Sequence, residues 1–155
     1  MSKQLTWTLP LMWHLLSQLR HGVEEALQSF PQDVRYATSM VAEELVSNAI
    51  KHGVSVPGAA SAQLTLTVTE KQIQIAVSNG VASESVVEEL QRRIAQIAST
   101  ESKEQLYMNR LQQMLDDPAQ TGKLGLYRIG FEGRFGLTCQ YCDHVLTVMA
   151  SREIP

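Results

Sequence analysis

The stretch from residue 41 to residue 53 constrains the fold of this chain more than any other part of the sequence. Its apolar residues recur at helical spacing, and Glu44, Asn48 and Lys51 follow one another at intervals of four and three residues. On a helix these three side chains lie on one face, beside the apolar stripe. An acid, an amide and a cation in one row suit a metal-bound phosphate chain. The alternative is an ordinary amphipathic helix whose polar face is only solvated.

The rest of the sequence predicts an α/β domain with helices on one side of a sheet. Apolar residues alternate with Thr, Gln and Ala over residues 64–68 and 73–77, as in half-buried strands. The small, polar second face of these strands predicts that helices cover only the other face. Further strands are predicted at 4–9 and in a hairpin over 137–149, and helices at 11–30, 33–52, 83–98 and 101–116. A length of 155 residues suits a single domain, residues 1–155.

Two further motifs follow the first in the chain. The strand over 73–77 runs into Ser78-Asn79-Gly80, and its period of two puts Asn79 on the same side as Ile75 and Val77. The alternative is that Asn79-Gly80 only forms a turn. The second motif is Gly122-Lys-Leu-Gly-Leu126, which leads into another predicted helix. Glycines permit close backbone approach, and N–H groups at the start of a helix suit phosphate oxygens.

Together these motifs resemble those of a known ATPase superfamily. Glu44-Leu-x-x-Asn48-Ala-x-Lys51-His52 looks like the N-box of the gyrase/histidine-kinase (GHKL) ATPases, which have the Bergerat fold, and the second motif looks like their Gly-x-Gly-Leu-Gly-Leu box. The chain is most similar to the small anti-sigma-factor serine kinases and the SiaB-type switch kinases. The resemblance covers residues 10–150 and implies a two-layer α/β sandwich, in which a mixed sheet carries helices on one face.

The resemblance also implies a site for ATP and Mg²⁺. In such a site Asn48 ligates the metal, Glu44 orients or deprotonates the acceptor hydroxyl, and Asn79 contacts adenine. The remaining nucleotide-binding residues implied in this way are Lys51, Gly122, Gly125 and Leu126, and Lys123 could either contact a phosphate directly or crowd the loop. The chain departs from the family pattern where Asn79 replaces Asp and Lys123 replaces Gly. It also lacks any glycine between residues 80 and 122, where the family has a Gly-rich lid.

The sequence is therefore compatible with functions of different classes. The first is an ATP-dependent protein serine/threonine kinase of a bacterial partner-switching system, acting on a small antagonist-like (STAS-type) protein or a sigma factor. The second is a catalytically degenerate ATPase-like domain that serves as an interaction module in signal transduction. A plain ATPase or a detached histidine-kinase catalytic domain is a weaker third. The resemblance to anti-sigma kinases also leads us to expect a homodimer.

Composition and charge favour a cytoplasmic protein without nucleic-acid partners. The formal net charge is -3 and no basic stripe is evident, which disfavours binding to nucleic acid. No apolar run reaches the ~18–20 residues that a membrane span needs, and the first ten residues do not read as a signal peptide. The lone pair Cys139 and Cys142 predicts structural cysteines, since no second pair completes a zinc site.

Overall fold

The computed structural model describes residues 2–9, 16–57, 61–117 and 124–154. In chain order its elements are β1 (Lys3–Leu9), α1 (Leu16–Ala26), α2 (Gln32–His52), β2 (Gly53–Val54), β3 (Ala62–Val68), β4 (Gln72–Val81), α3 (Glu84–Ser99), α4 (Lys103–Asp116), α5 (Gly125–Phe131), β5 (Gly136–Cys142) and β6 (Val145–Glu153). This order is the predicted one with the short strand β2 added. The predicted helix over 11–30 ends early, at Ala26, because the chain leaves it through tight turns before Pro31.

The six strands form one sheet in the order β1-β3-β4-β6-β5, and β2 pairs with the end of β4. The expected mixed sheet is wrong, because every strand pair in the described part of the chain is antiparallel. Strand β5 does run in the direction of β4, but β6 returns through a tight turn and lies between the two. The two-residue turn Asp143-His144 has positive φ at both positions, which suits a hairpin of this kind.

The core lies between the helices and one face of the sheet. In β3 and β4 the alternation of burial follows the predicted period of two, and Leu64, Leu66, Ile73 and Ile75 are almost fully buried. Each such side chain contributes roughly 1.5–3 kcal/mol by leaving water. The opposite face carries mainly Thr, Ser and Gln. The mixed α/β architecture agrees with the predicted α/β sandwich.

Helix α2 is the long central helix and positions the polar row of the first motif. The helical spacing predicts a buried stripe along it, of which Ala37 is only partly buried and the others are buried: Val34, Thr38, Val41, Leu45 and Ala49. The buried surface is broader than one stripe, because its neighbours Ser39, Ala42 and Val46 are buried as well. Within the described ranges, no helix combines the length and the apolar character needed to cross a membrane.

Candidate functional site

A cavity of about 110 Å³ lies where α2, α3 and α5 meet the helix-facing side of β4 and β6. Four of the residues singled out in the sequence line it: Asn48 from α2, Asn79 from β4, and Gly125 and Leu126 from α5. These residues belong to three separate motifs, and the fold brings them to one place. The remaining wall is largely apolar and includes Val77, Leu146 and Val148.

Asn79 is a buried polar residue on the helix-facing side of β4. Only 4% of its surface is exposed, and its Nδ2 donates a hydrogen bond of 3.0 Å to the Gly80 carbonyl. The alternative in which Asn79-Gly80 forms a turn is wrong, because β4 continues through both residues to Val81. A Cβ at Gly80 would overlap the Val54 carbonyl oxygen, so the glycine allows β2 to approach β4. The Asn79 side chain therefore faces the cavity from a regular strand.

Glu44 forms an ion pair that joins α2 to α5. Its Oε1 accepts a hydrogen bond of 3.1 Å from Arg128 Nη1, and Arg128 Nε donates one of 3.0 Å to Glu132 Oε2. Burial opposes the charge of Arg128, but the hydrogen bond to Glu132 and the charges of Glu132 and Glu44 outweigh it and raise the pKa of Arg128. Glu44 lies one helical turn before Asn48, beside the cavity rather than among the residues that line it.

Gly125 is the point where the Glu44 carboxylate meets the backbone of α5. A Cβ built at residue 125 would overlap Glu44 Oε2. A side chain at position 125 would thus collide with the Glu44 carboxylate, so packing inside the protein requires the glycine. The motif resemblance gives a second reason, the close approach of a phosphate. The resulting arrangement holds Glu44 between Gly125 and Arg128.

Other sequence-predicted residues lie at the margin of the site or beyond the described ranges. Lys51 is exposed near the end of α2 and does not line the cavity, whereas its neighbour His52 does. Gly122 and Lys123 lie outside the described residues. For these two positions and for Lys51, a phosphate contact stays a prediction.

The sequence reading missed the contribution of α3 to this cavity. Glu89 and Arg93 both line it, and Arg93 Nη2 donates a 2.8 Å hydrogen bond to Glu89 Oε1. Arg93 Nη1 also donates to the hydroxyl of Tyr127 on α5 at 2.9 Å. The sequence does place Glu89 and Arg93 four residues apart, next to the apolar Val86 and Leu90. Such charged pairs are common on solvated helix faces, so this spacing did not identify a site.

The described residues offer few side chains that could hold Mg²⁺. Among the residues that the structure describes, no three His, Cys, Asp or Glu side chains come together as a metal-binding group. Mg²⁺ often keeps several waters and is held mainly by substrate phosphates, with few protein ligands. Asn48 lines the cavity and carries an amide oxygen, which fits that kind of metal site. Cys139 is partly buried and Cys142 is exposed, and both are free thiols. Burial raises the pKa of Cys139.

No protein-family model matches the chain, and no curated protein matches it with significance.

Proposed function

We propose that the chain binds ATP with Mg²⁺ in this cavity and acts as a protein serine/threonine kinase of the Bergerat type in a partner-switching system. Support comes from one observation above all. Asn48, Asn79 and Gly125, which belong to three separate motifs, line a single cavity next to Glu44. That convergence is what the resemblance to the GHKL ATPases requires, and an amphipathic helix with a merely solvated polar face does not require it.

The adenine ring would enter the cavity between its apolar walls and Asn79. Because Nδ2 of Asn79 donates to the Gly80 carbonyl, its amide oxygen is the group that would accept the adenine amino N–H. A cavity of about 110 Å³ is smaller than the ~300–1,000 Å³ of typical ligand pockets. It would therefore enclose the base, while the sugar and phosphates extend beyond it.

The phosphate end would use the polar row of α2. Asn48 would hold Mg²⁺, which neutralises charge on the phosphates when it is bound. Glu44 would orient or deprotonate the acceptor hydroxyl, and Arg128 would position its carboxylate. Lys51, Lys123, Gly122 and Leu126 complete the proposed nucleotide site. The proposed partner is a small STAS-type antagonist or a sigma factor, and the proposed setting is a cytoplasmic homodimer.

Calorimetric titration with Mg²⁺-ATP tests the binding step. We expect saturable binding by the parent chain and weaker binding by Asn79→Ala, because the variant loses the only amide that faces the base among the described residues of β4. Thr67→Ala, on the opposite face of the sheet, is the matched control and should bind like the parent. No heat of binding by the folded parent chain would refute the nucleotide site.

A second candidate function is a non-catalytic interaction module. It is favoured by the ion pair between Glu44 and Arg128, which occupies the carboxylate that a kinase would need as base. Phosphate transfer from labelled ATP to a STAS-type partner separates the two. The kinase proposal expects transfer by the parent and its loss in Glu44→Gln with ATP binding retained. Partner binding without nucleotide binding or transfer would favour the interaction module.

A further inference from the structure

A second cavity, of about 460 Å³, lies between α3, α4 and α5. It shares Arg93 with the cavity described above but is otherwise lined by different residues. Its volume falls within the range of roughly 300–1,000 Å³ that is usual for ligand pockets. Gln96, Asn109 and Gln113 line it and are exposed to solvent, so a ligand can reach it. We call it the arginine cavity.

The lining of the arginine cavity is strongly positive. Arg92 and Arg93 contribute from α3 and Arg110 from α4, and none of the described residues that line it is acidic. This concentration stands out in a chain whose formal net charge is -3. Glu89 pairs with Arg93 from outside the cavity. Three guanidinium groups in the wall of one cavity favour an anionic ligand.

The guanidinium of Arg93 is held in place before any ligand arrives. Its Nη1 donates to the Tyr127 hydroxyl at 2.9 Å, and that hydroxyl donates in turn to Gln96 Oε1 at 3.2 Å. The side chain of Arg93 is only 14% exposed. A donor that is already oriented loses little conformational entropy on binding, so the site is preorganised.

Arg110 brings a second buried cation to the same ring. It is 5% exposed, and the guanidinium carbons of Arg93 and Arg110 each lie 6.0 Å from the centre of the Tyr127 ring. Burial, and then the charge of Arg93, lower the pKa of Arg110. Both effects disfavour the charged form of Arg110, and an anion beside its guanidinium would favour that form.

We propose that the arginine cavity binds a phosphate group, either as inorganic phosphate or as the end of a phosphomonoester. Guanidinium groups bind phosphate through paired N–H donors, and a dianion neutralises more of this charge than a carboxylate does. The proposal does not rest on the nucleotide site, because none of its steps uses ATP or Asn79.

The test is calorimetric titration of the full chain with sodium phosphate and, separately, with O-phosphoserine, at low ionic strength. We expect binding of at least one of them, with affinity reduced at least about tenfold in Arg92→Gln, the loss expected of one charge-assisted hydrogen bond. Tighter binding of phosphoserine would identify a phosphomonoester as the ligand, and tighter binding of phosphate the free ion. Arg110→Gln should show a larger loss, and the exposed Arg92 variant covers the case in which Arg110→Gln does not fold.

Two control variants test whether the anion binds in the arginine cavity. Lys71→Gln removes one charge in the turn between β3 and β4, outside the cavity, and should bind as the parent does. Asn48→Ala alters the first cavity only and should also bind normally. The proposal is refuted if neither anion binds, if Lys71→Gln weakens binding as much as Arg92→Gln does, or if Asn48→Ala abolishes binding while Arg92→Gln does not.

Discussion

Replacement of Gly125 by alanine tests how the Glu44 carboxylate is held. Alanine is favoured over glycine in a helix interior by about 0.5–1 kcal/mol, and this is an upper limit for Gly125, the first residue of α5. Here the new Cβ would overlap Glu44 Oε2 and push that side chain away from Arg128. The ion pair is partly exposed, at 37% and 23% of the two side chains, so its loss costs only about 0–1 kcal/mol after solvent screening. The crowding that remains between the new Cβ and the Glu44 side chain adds to this cost. These two costs together should exceed the gain from alanine, so we expect Gly125→Ala to lower the free energy of unfolding by about 1 kcal/mol.

The sign should reverse when Glu44 is absent. In a Glu44→Ala background the obstruction is gone, and Gly125→Ala should stabilise the chain by up to about 1 kcal/mol. The four proteins of this double-mutant cycle are compared by urea denaturation and by thermal melting, where 1 kcal/mol corresponds to about 2–4 °C. Gly136→Ala is the control, because the nearest atom to its new Cβ is Ser151 O at 3.9 Å, and its effect should be equal in both backgrounds. Additive effects of Gly125→Ala and Glu44→Ala, within about 0.5 kcal/mol, would refute this account of the contact.

Three further predictions concern the core, the β2–β4 approach and pH. Ile75→Ala, at a fully buried position, should lower the free energy of unfolding by about 2–5 kcal/mol in urea denaturation. Thr67→Ala, on the other face of the sheet, should change it by no more than about 0.5 kcal/mol. Similar losses in both variants would contradict the assigned faces. Gly80→Ala should destabilise by about 1–3 kcal/mol because its Cβ meets the Val54 carbonyl and the Val56 side chain, and unchanged stability would count against that packing. Burial raises the pKa of Cys139 in the folded chain, so the thiol ionises at lower pH in the unfolded chain. The contribution of the neutral Cys139 thiol to stability is therefore present at neutral pH and declines as pH rises above about 8.5. Cys139→Ala should reduce that decline in melting experiments at pH 7 to 10, and an identical pH profile for the variant would argue against it.

The Glu44–Arg128 pair also bears on how the proposed kinase would work. If Glu44 acts on the acceptor hydroxyl, Arg128 decides where its carboxylate points, although the two residues are 84 positions apart in the chain. In a non-catalytic interaction module the same ion pair would only stabilise the packing of α2 against α5. The nucleotide-binding and phosphate-transfer experiments separate these roles, because only the first role requires ATP.

The sequence alone determined the elements that have a strong periodicity and the faces they present, although it did not predict the short strand β2 or the early end of α1. A helix of 3.6 residues per turn and a strand of period two are set by local backbone geometry, so residue spacing was enough to identify α2 and its buried stripe. The same local rule placed Asn79 on the side of Ile75 and Val77, where it is indeed buried. Elements with strong periodicity were therefore predictable without knowledge of their neighbours.

Only the tertiary structure decided which distant residues meet. The sheet is antiparallel throughout its described pairs because β6 lies between β4 and β5, and strand order leaves no trace in residue spacing. The partner of Glu44, the place of Arg93 in two cavities and the burial of Arg110 depend on how α3, α4 and α5 pack. An arginine on a helix looks solvated in the sequence. Its burial results from contacts with elements far away in the chain, which no local pattern records.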